Sequence, residues 1–520
     1  MFKGTLKPYQ VEAVKKMVDR KQMLVAYEMG LGKTPMTIAA IEELRENGVI
    51  TKPILVIALA SLKYQWQKEI IKFSDSTVTV VDGSKVKRMG QWTENSDYLV
   101  CNYETVLSDW DVLQTMCQFG AIVCDEATAI KGFRAKRAKK VKELAKDIPV
   151  RFALTGTPIE NGRPEEVFSI MQFVDPKVLG RFDIFDKTFI VRNHFGGVQR
   201  YRNLPMLHNH MVTASVRKSQ KDEDVKPFLP DAVYREPLLV KLDKRSRETY
   251  DYVAKDLYEL LVEASATLGS SFSLASHYGQ SWDANDPANQ LKGEVMSRIG
   301  ALRMLCSHPR LLVESSTNFQ KMNGKGSAYI ASLDSLDLLG SSKTPKLDAC
   351  VSYLEDHLEI DPSYKAVVFA SYLGAVDAIV EALAAKNVSA IPYTGEMNAK
   401  TKEANKIAFQ TNPTHRVLVS SDAGGYGVDL PQANLLFNYD QPWSAGLSVQ
   451  RNGRINRTSS TWSTITIQDV LVENSIEQRQ YDMLKQKNAV ADAVLNGSGI
   501  NSRGGVDLTV GTLISFLSKK

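Results

Sequence analysis

The stretch EMGLGKT at positions 28–34 has the residue types and spacing of a phosphate-binding loop. It follows a short apolar run and precedes a helical pattern, so backbone N–H groups and a helix N-terminus would face a phosphate. In such a loop Gly30 and Gly32 allow the turn, Lys33 contacts the outer phosphates and the Thr34 hydroxyl holds Mg²⁺. The strict motif has a further glycine where this chain has a tyrosine, so the pattern predicts a looser form of the loop.

Two adjacent carboxylates, Asp125 and Glu126, end the apolar run that starts at position 121. A buried strand that delivers two carboxylates at its C-terminal end is typical of magnesium-dependent phosphoryl transfer. Asp125 would bind Mg²⁺ through water, and Glu126 would orient and deprotonate the attacking water. One Asp-Glu pair is often only an acidic turn. About 90 residues after a phosphate loop, at the end of an α/β strand, a catalytic pair is the better interpretation.

Arg454 and Arg457 are three residues apart and therefore share one face of a predicted helix. Two such arginines usually form surface ion pairs. With a triphosphate site in the other half of the chain, arginine fingers that reach the outer phosphate become the preferred interpretation. Such groups contribute on the order of 10³-fold or more to phosphoryl transfer. The sequence therefore predicts that both halves of the chain contribute to one site.

Two polar features of the first half have two interpretations each. Seven of the twelve residues at 131–142 are basic, which usually indicates a solvated helix face, and a contact with a nucleic-acid phosphate backbone is the alternative. Gln10 is either a solvated helix residue or an amide that hydrogen-bonds an adenine edge. Trp66 is predicted to be a core residue rather than a platform for a base.

Two series of apolar strands would position these residues. Strands that alternate with helical patterns, and are apolar throughout, predict parallel sheets covered on both faces. The fold class is therefore α/β, with two parallel-sheet lobes in tandem and helical insertions. The predicted strands lie at 54–58, 98–101, 121–125 and 152–154 in the first half, and at 366–371, 416–420, 435–438 and 464–472 in the second.

The predicted domain boundaries are placed where the alternation of strands and helices stops. The polar segments at about 266–290 and 314–343 contain few apolar residues, so they are predicted to be mobile surface loops. We predict an N-terminal lobe at 1–215 with a helical insertion at about 165–215, a linker and helical insertion at 216–343, a C-terminal lobe at 344–497 and a tail at 498–520.

Composition limits the class of protein. The chain has 520 residues, of which 43% are hydrophobic and 24% charged, and this predicts two or three soluble globular domains. A net charge of +5 permits a nucleic-acid partner without requiring one. The five cysteines form no C-x-x-C pair, and no apolar run is long enough for a membrane span. We expect a monomeric cytoplasmic protein with no membrane contact.

The ordered motifs resemble those of the Swi/Snf-type DNA-translocating ATPases of helicase superfamily 2. In the first half these are LKPYQ, EMGLGKT, ASLKYQW, DEAT and LTGTPIEN, and residues 166–189 are similar to the family's helical insertion. In the second half they are the Leu-Arg…Cys-x-His-Pro segment at 302–309, the Ala-Gly-Gly segment at 420–430, DQPW at 440–443 and QRNGRINR at 450–457. The resemblance covers residues 5 to 490.

The resemblance implies two RecA-like lobes with ATP and Mg²⁺ held between them and DNA crossing both. Gln10, Gln450 and Gly427 would join the nucleotide site. Contacts with DNA are implied for Ser61, Lys131, Thr157, Ser420, Gly424, Gly425 and Trp443.

The chain departs from the family pattern at several positions. Thr128 replaces a histidine after Asp-Glu-Ala, Met36 replaces a glutamine, and Leu59, Asp429 and Thr458-Ser459 replace other common residues. These departures leave the magnesium and phosphate residues in place. They concern how ATP hydrolysis is coupled to DNA.

The resulting hypothesis is a DNA-stimulated ATPase that tracks along duplex DNA and remodels forked or branched DNA, with branch migration as the preferred output. Compactness favours a bacterial or phage motor over a nucleosome remodeller. Two alternatives stay open: a strand-separating helicase, and an ATP-gated DNA-binding switch with little turnover.

Overall fold

Two parallel β-sheets, one in each half of the chain, form the framework of the computed structural model. This arrangement confirms the predicted α/β class with two lobes in tandem. The structure describes residues 1–520 except 116–117, 193–197, 269–286, 323–325, 341–342, 426–427, 497–509 and 518–520.

The strands of the first lobe are short, and those of its sheet are mostly buried. They are β1 (Gln22–Tyr27), β2 (Ile54–Ala58), β3 (Val78–Val80), β4 (Tyr98–Asn102), β5 (Ala121–Asp125), β6 (Val150–Leu154), β7 (Ile190–Arg192), β8 (Val198–Tyr201) and β9 (Ser215–Lys218). Seven of them pair in parallel in the order β3-β4-β2-β5-β6-β1-β9, and β7 and β8 form a separate antiparallel hairpin.

Helices cover both faces of this sheet, which is why its strands are apolar at consecutive positions. Neighbouring residues of β1 serve opposite cores: Leu24 packs in one and Val25 in the other. The helices are α1 (Pro8–Arg20), α2 (Lys33–Glu46), α3 (Lys63–Phe73), α4 (Lys85–Trp92), α5 (Tyr103–Ser108), α6 (Trp110–Thr115), α7 (Lys136–Ala145), α8 (Pro164–Val174), α9 (Pro176–Leu179), α10 (Phe182–Phe189) and α11 (Leu204–Met211).

The second lobe has a parallel sheet in the order β10-β16-β15-β12-β14-β13, and β11 also pairs with β16. Its strands are β10 (Asp231–Tyr234), β11 (Leu238–Val240), β12 (Ala366–Ala370), β13 (Ala390–Tyr393), β14 (Val417–Ser421), β15 (Leu435–Asn438) and β16 (Thr464–Val472). Its helices are α16 (Pro345–Ile360), α17 (Leu373–Ala385), α18 (Ala399–Thr411), α19 (Asp422–Gly425) and α20 (Ala445–Asn452).

The segment predicted as a linker contributes strands to both sheets. β9 begins at the predicted boundary and pairs with β1, whereas β10 and β11 pair with β16. These three strands contain only three or four residues each. Periodicity cannot identify so short a strand.

Between β11 and α16 the chain forms four helices: α12 (Lys244–Leu268), α13 (Pro287–Ser307), α14 (Arg310–Gln320) and α15 (Ala328–Ser335). The prediction of loops at 314–343 is wrong over α15 and most of α14. Ile330 and Leu333 are both 1% exposed and are three residues apart, so this short helix docks through one apolar face. Most of the predicted loop at 266–290 lies outside the described residues.

The C-terminal helices connect the parts of the molecule. α21 (Ile476–Asn496) starts in the core that α12, α13 and the end of β16 share, and its last turns pack on α11 of the first lobe. α22 (Val510–Leu517) packs against α12, so the predicted tail contains a docked helix. Among the described residues, no helix is both long enough and apolar enough to cross a membrane.

Candidate active site between the lobes

The phosphate loop connects β1 to α2 and faces the second lobe. Gly30 and Gly32 have φ values of 77° and 81°, a left-handed conformation that glycine adopts most readily. Gln10 supports the loop from α1, because its Nε2 donates to the Leu31 carbonyl at 2.9 Å and its Oε1 accepts from the Lys7 N–H at 2.8 Å. The amide predicted to contact adenine is therefore bonded to the loop itself.

Lys33, at the first position of α2, lies among the charged groups predicted for the site. Its Nζ donates to the Tyr27 carbonyl at 2.9 Å. Burial lowers the pKa of Lys33; Glu126 and Asp125 oppose that shift, and both Arg457 and Arg454 add to it. All four groups are thus close enough to act on the charge of the lysine. Thr34, the next residue of α2, is half-buried.

The two carboxylates stand at the C-terminal end of β5. Asp125 accepts a hydrogen bond from the Trp66 indole at 2.8 Å and from the Glu126 N–H at 3.0 Å. Glu126 has a left-handed backbone, with φ of 47°, and its Oε2 is buried without a hydrogen-bond partner. The pKa of Glu126 is raised to about 7, mainly by burial and to a smaller extent by repulsion from Asp125. That value suits a group that exchanges protons near neutral pH.

The arginine segment of the second lobe lies directly on the phosphate loop. A Cβ added to Gly30 would be 2.7 Å from Arg457 Cγ, so the loop has no room for a side chain there. Thr458 Oγ1 donates to the Gly30 carbonyl at 3.2 Å. Arg457 forms an ion pair with Asp429 at 2.6 Å, and buried Arg454 acts electrostatically on Glu126. The structure thus brings the two predicted arginines to the predicted phosphate loop. The prediction that they share a helix face is wrong, because α20 ends at Asn452 and both arginines lie in the turns that follow it.

Gln220 and Asn456 join the lobes beside this contact, and sequence reasoning missed both. Asn456 Nδ2 donates to Gln220 Oε1 at 2.8 Å, and Gln220 Nε2 donates to the carbonyls of Met29 at 3.0 Å and Asn456 at 2.9 Å. The partners are 236 residues apart in the chain. No local pattern could have paired them, although Asn456 does stand inside the arginine motif.

Glu160, in the Thr-Gly-Thr-Pro segment, is a second missed contact across the lobes. Its carbonyl accepts from the Gly446 N–H at 3.2 Å, and its carboxylate pairs with Lys131 and hydrogen-bonds Thr128. Thr128, the atypical residue after Asp-Glu-Ala, is therefore placed between the carboxylate strand and the segment that contacts the second lobe.

A cleft of about 940 Å³ separates the lobes next to Glu126. Two of the residues predicted to contact DNA, Ser61 and Gly424, line it from opposite lobes, as does Gln450, whose Oε1 is buried without a partner. Lys68 and Glu403 form an ion pair across it at 3.3 Å. Basic side chains and the Glu126 carboxylate therefore line the same cleft.

The other predicted DNA contacts are not on the cleft surface. Thr157 and Ser420 are 6% and 0% exposed, and the Ser420 hydroxyl donates to the Tyr393 carbonyl at 3.1 Å. In this arrangement burial separates both side chains from any DNA backbone. Lys131 is engaged by Glu160, and Gly425 is packed against Phe369.

Trp443 is 41% exposed, and the Arg303 guanidinium lies 4.2 Å from the centre of its ring. Its exposure leaves it accessible to a partner. Gly427, predicted for the nucleotide site, lies outside the described residues.

Two protein families match this chain in succession. Residues 9–311 match the SNF2-related domain, and residues 346–459 match the helicase conserved C-terminal domain. The chain belongs to the SNF2-related family. The unmatched residues between the two, 312–345, contain most of α14 and all of α15, and they end where α16 begins.

Two curated relatives match nearly the whole of this chain. The chain is 23% identical to the putative ATP-dependent helicase/translocase YwqA of Bacillus subtilis, over 95% of this chain and 49% of that protein. It is 24% identical to the DNA repair and recombination protein RAD54B of Gallus gallus, over 95% and 55%. The chain thus spans about half the length of these curated relatives.

The helicase domain of Hef from Pyrococcus furiosus has the same fold. It is 16% identical, with a TM-score of 0.52, and the match covers 91% of this chain and 97% of that one.

Proposed function

We propose that this chain is a DNA-dependent ATPase that moves along duplex DNA and remodels forked or branched DNA, with branch migration as its main output. The observation that supports this most is the contact of the arginine segment with the phosphate loop, where Arg457 leaves no room for a side chain at Gly30. A site assembled from both lobes changes whenever the lobes separate. That dependence is what couples phosphoryl transfer to movement.

The residues at the lobe interface fit ATP and Mg²⁺. Thr34 and Asp125 would hold the metal, since hydroxyl and carboxylate oxygens are the ligands Mg²⁺ uses. The buried Oε2 of Glu126 has no hydrogen-bond partner, and such an oxygen is unfavourable unless a ligand or water completes it. When bound, Mg²⁺ would neutralise the developing charge on the phosphates. Lys33 and the loop N–H groups would hold the phosphates themselves.

Glu126 is the residue we assign to proton transfer. Its pKa of about 7 leaves the carboxylate partly ionised at neutral pH, so it can orient a water and accept its proton. Arg454 and Arg457 would stabilise negative charge on the phosphates, which is the role of arginine fingers in related chemistry. Gln220 and Asn456 would hold the arginine segment in register with the loop.

The DNA assignment rests on the cleft and on the family. Basic side chains from both lobes line the cleft together with Glu126: Lys68, Arg137, Lys400, Lys402 and Lys406. The names of the two relatives refer to translocation and to DNA repair, and we extend a DNA substrate to this chain on that ground. Tracking on a duplex, rather than strand separation, follows from the family resemblance.

The proposal is tested by ATP turnover with and without DNA. We expect the wild-type rate to rise with duplex DNA and to rise further with forks and four-way junctions. Lys33→Ala and Glu126→Gln should fold normally and lose the stimulated rate by about 10²-fold or more. Full stimulated activity in either variant would refute the assignment.

A second assay separates translocation from the alternatives. A translocase should displace a triplex-forming strand without separating the duplex. Release of single strands would instead identify a helicase, and DNA binding without turnover would identify an ATP-gated switch.

A further inference from the structure

A groove of about 680 Å³ opens on the first lobe, away from the candidate active site. Gln22, at the start of β1, and Arg151, near the start of β6, lie on its wall. The phosphate loop follows the opposite end of β1, and a strand of six residues spans about 20 Å. The groove is therefore separate from the nucleotide site.

The groove carries an excess of positive charge. Its lining includes five cations, Lys139, Lys142, Lys146, Arg151 and Lys177, and a single carboxylate, Asp175. Asp175 is engaged by Arg20, at 2.9 Å. Within the part of the chain that the structure describes, none of the five cations forms an ion pair. Asp175 does act electrostatically on Arg151, so it is the charge of the four lysines that is open to an external anion.

On the opposite side of α7, the basic side chains form ion pairs. On α7, Arg137 pairs with Glu104, and Lys140 pairs with Glu143 while lying 4.0 Å from the centre of the Trp110 ring. The basic run that the sequence left with two interpretations thus has two different sides. On one side the cations form ion pairs within the protein, and on the other side the lysines that line the groove have no carboxylate partner.

Two groove cations are held in place with unmet hydrogen-bonding capacity. Arg151 is 8% exposed, and its Nε has no hydrogen-bond partner. Lys142 Nζ donates to Gln172 Oε1 at 3.1 Å and to Ser169 Oγ at 3.3 Å, both neutral acceptors. Burial lowers the pKa of Lys142 to about 8, with Lys139 adding to the shift. An anion in the groove would restore its full charge.

The spacing of the lysines fits a repeating anion. Lys139, Lys142 and Lys146 are three and four residues apart, so they form a row along α7 with steps of about 4.5 and 6 Å. Lys146 immediately follows the last residue of that helix. A compact anion would need cations that converge on one point. A polynucleotide backbone offers successive charges along a line.

We propose that this groove binds the sugar–phosphate backbone of a nucleic-acid segment outside the cleft between the lobes. The identity of that polymer as DNA rests on the proposed function, whereas the anion site does not. Such a site would give the first lobe a second contact with the nucleic acid, in addition to the cleft. It would add phosphate contacts that do not depend on whether the lobes are closed.

The test is the salt dependence of duplex binding by the full chain without nucleotide, followed by fluorescence anisotropy. We expect the triple variant Lys139→Gln, Lys142→Gln, Lys146→Gln to lower the slope of log K against log[salt] by about 2 to 3, since each phosphate contact contributes about 0.9. The double variant Lys139→Gln, Lys146→Gln leaves half-buried Lys142 intact and should lower the slope by about 2.

A charge-matched control is available in three exposed lysines elsewhere on the first lobe. The variant Lys15→Gln, Lys52→Gln, Lys87→Gln removes the same charge and should leave the slope unchanged. An unchanged slope in the groove variants, or an equal fall in the control, would overturn the proposal.

Lysine acetylation read by mass spectrometry identifies the ligand. A short duplex should protect Lys142 and Lys146, and inorganic phosphate at the same phosphate concentration should not. Equal protection by inorganic phosphate would overturn the backbone assignment in favour of a single-anion site. The same footprint in Lys33→Ala separates the two proposals, because loss of turnover leaves groove binding measurable.

Discussion

Each lobe places a lysine beside two carboxylates, and the two clusters differ in whether their hydrogen bonds are complete. In the second lobe Lys346 donates to Glu477 and lies 3.4 Å from Asp440. The remaining carboxylate oxygens accept from two backbone N–H groups and a serine hydroxyl. Burial would lower the pKa of Lys346, but the two carboxylates outweigh it and raise the pKa instead. This cluster is complete without a ligand.

In the first lobe the same residue types are arranged differently. Burial lowers the pKa of Lys33, and the opposing pull of the two carboxylates is weakened by two arginines. Glu126 keeps one buried oxygen without a partner. Clustered charge alone therefore does not identify a catalytic site. Unmet hydrogen-bonding capacity, in a position that a second lobe completes, is the better criterion.

Glu126→Gln should have the largest effect on turnover. We expect DNA-stimulated hydrolysis to fall by about 10³-fold, because the amide can orient water but cannot accept its proton. Single-turnover ATPase rates measure this. The matched variant Glu477→Gln alters the complete cluster of the second lobe, so we expect it to lower thermal stability instead. A larger loss of the hydrolysis rate in Glu477→Gln than in Glu126→Gln would contradict this difference between the two clusters.

Lys346→Met should have the largest effect on stability. Removing one partner of a buried ion pair leaves uncompensated charge and costs about 3–5 kcal/mol of unfolding free energy. Urea denaturation followed by circular dichroism measures the change. If the variant is as stable as wild type, the second cluster does not have the structural role assigned here.

The turnover rate should depend on pH through Glu126. Its pKa of about 7 means that the carboxylate becomes protonated as the pH falls below 7. We expect the rate to reach a plateau above about pH 8 and to fall about tenfold per pH unit well below 7. A flat profile between pH 6 and 8, with the protein still folded, would exclude Glu126 as the base.

The same shift predicts the pH dependence of stability. The folded-state pKa of Glu126 is raised above its ordinary value of 4.5, so the folded state binds this proton more tightly than the unfolded state. The resulting stabilisation is present at low pH and is lost as the pH rises through about 7. Its total is about 3 kcal/mol. Glu126→Gln should therefore gain stability relative to wild type between pH 5 and pH 8.

Gln220→Leu should have the smallest effect. It removes hydrogen bonds that join the lobes beside the phosphate loop, each worth about 0.5–1.5 kcal/mol. We expect a fall of about tenfold in DNA-stimulated turnover with little change in thermal stability. Gln114→Leu, which removes a surface amide of the first lobe alone, is the control. Equal rates in the two variants would show that the bridge has no role in turnover.

The sequence predicted those parts of the site that are encoded locally. Gly30, Lys33, Asp125 and Glu126 stand in short motifs at strand ends, and parallel strands bring those ends to one edge of a sheet. Arg457 was assigned to the same site because a triphosphate site was predicted in the other half of the chain, and its motif also resembles a family pattern.

Contacts between distant segments could not be predicted in this way. Gln220 has no local signal, and its partner is 236 residues away. The indole bond from Trp66 to Asp125 spans 59 residues, so the ring was expected only to fill the core. Ser420 was assigned to DNA from its motif alone, whereas the structure buries it. Packing between elements, rather than residue pattern, decides these cases.

The last turns of α21 have a mechanical consequence. The chain crosses from the first sheet to the second between β9 and β10, and α21 returns to the first lobe, where Ala491 and Val494 enter its core and the Val494 carbonyl lies 3.0 Å from His208 Nδ1. A rigid body attached at two separate points keeps one free rotation. We therefore expect the lobes to part by swinging about the line through these two attachments, not by twisting or sliding.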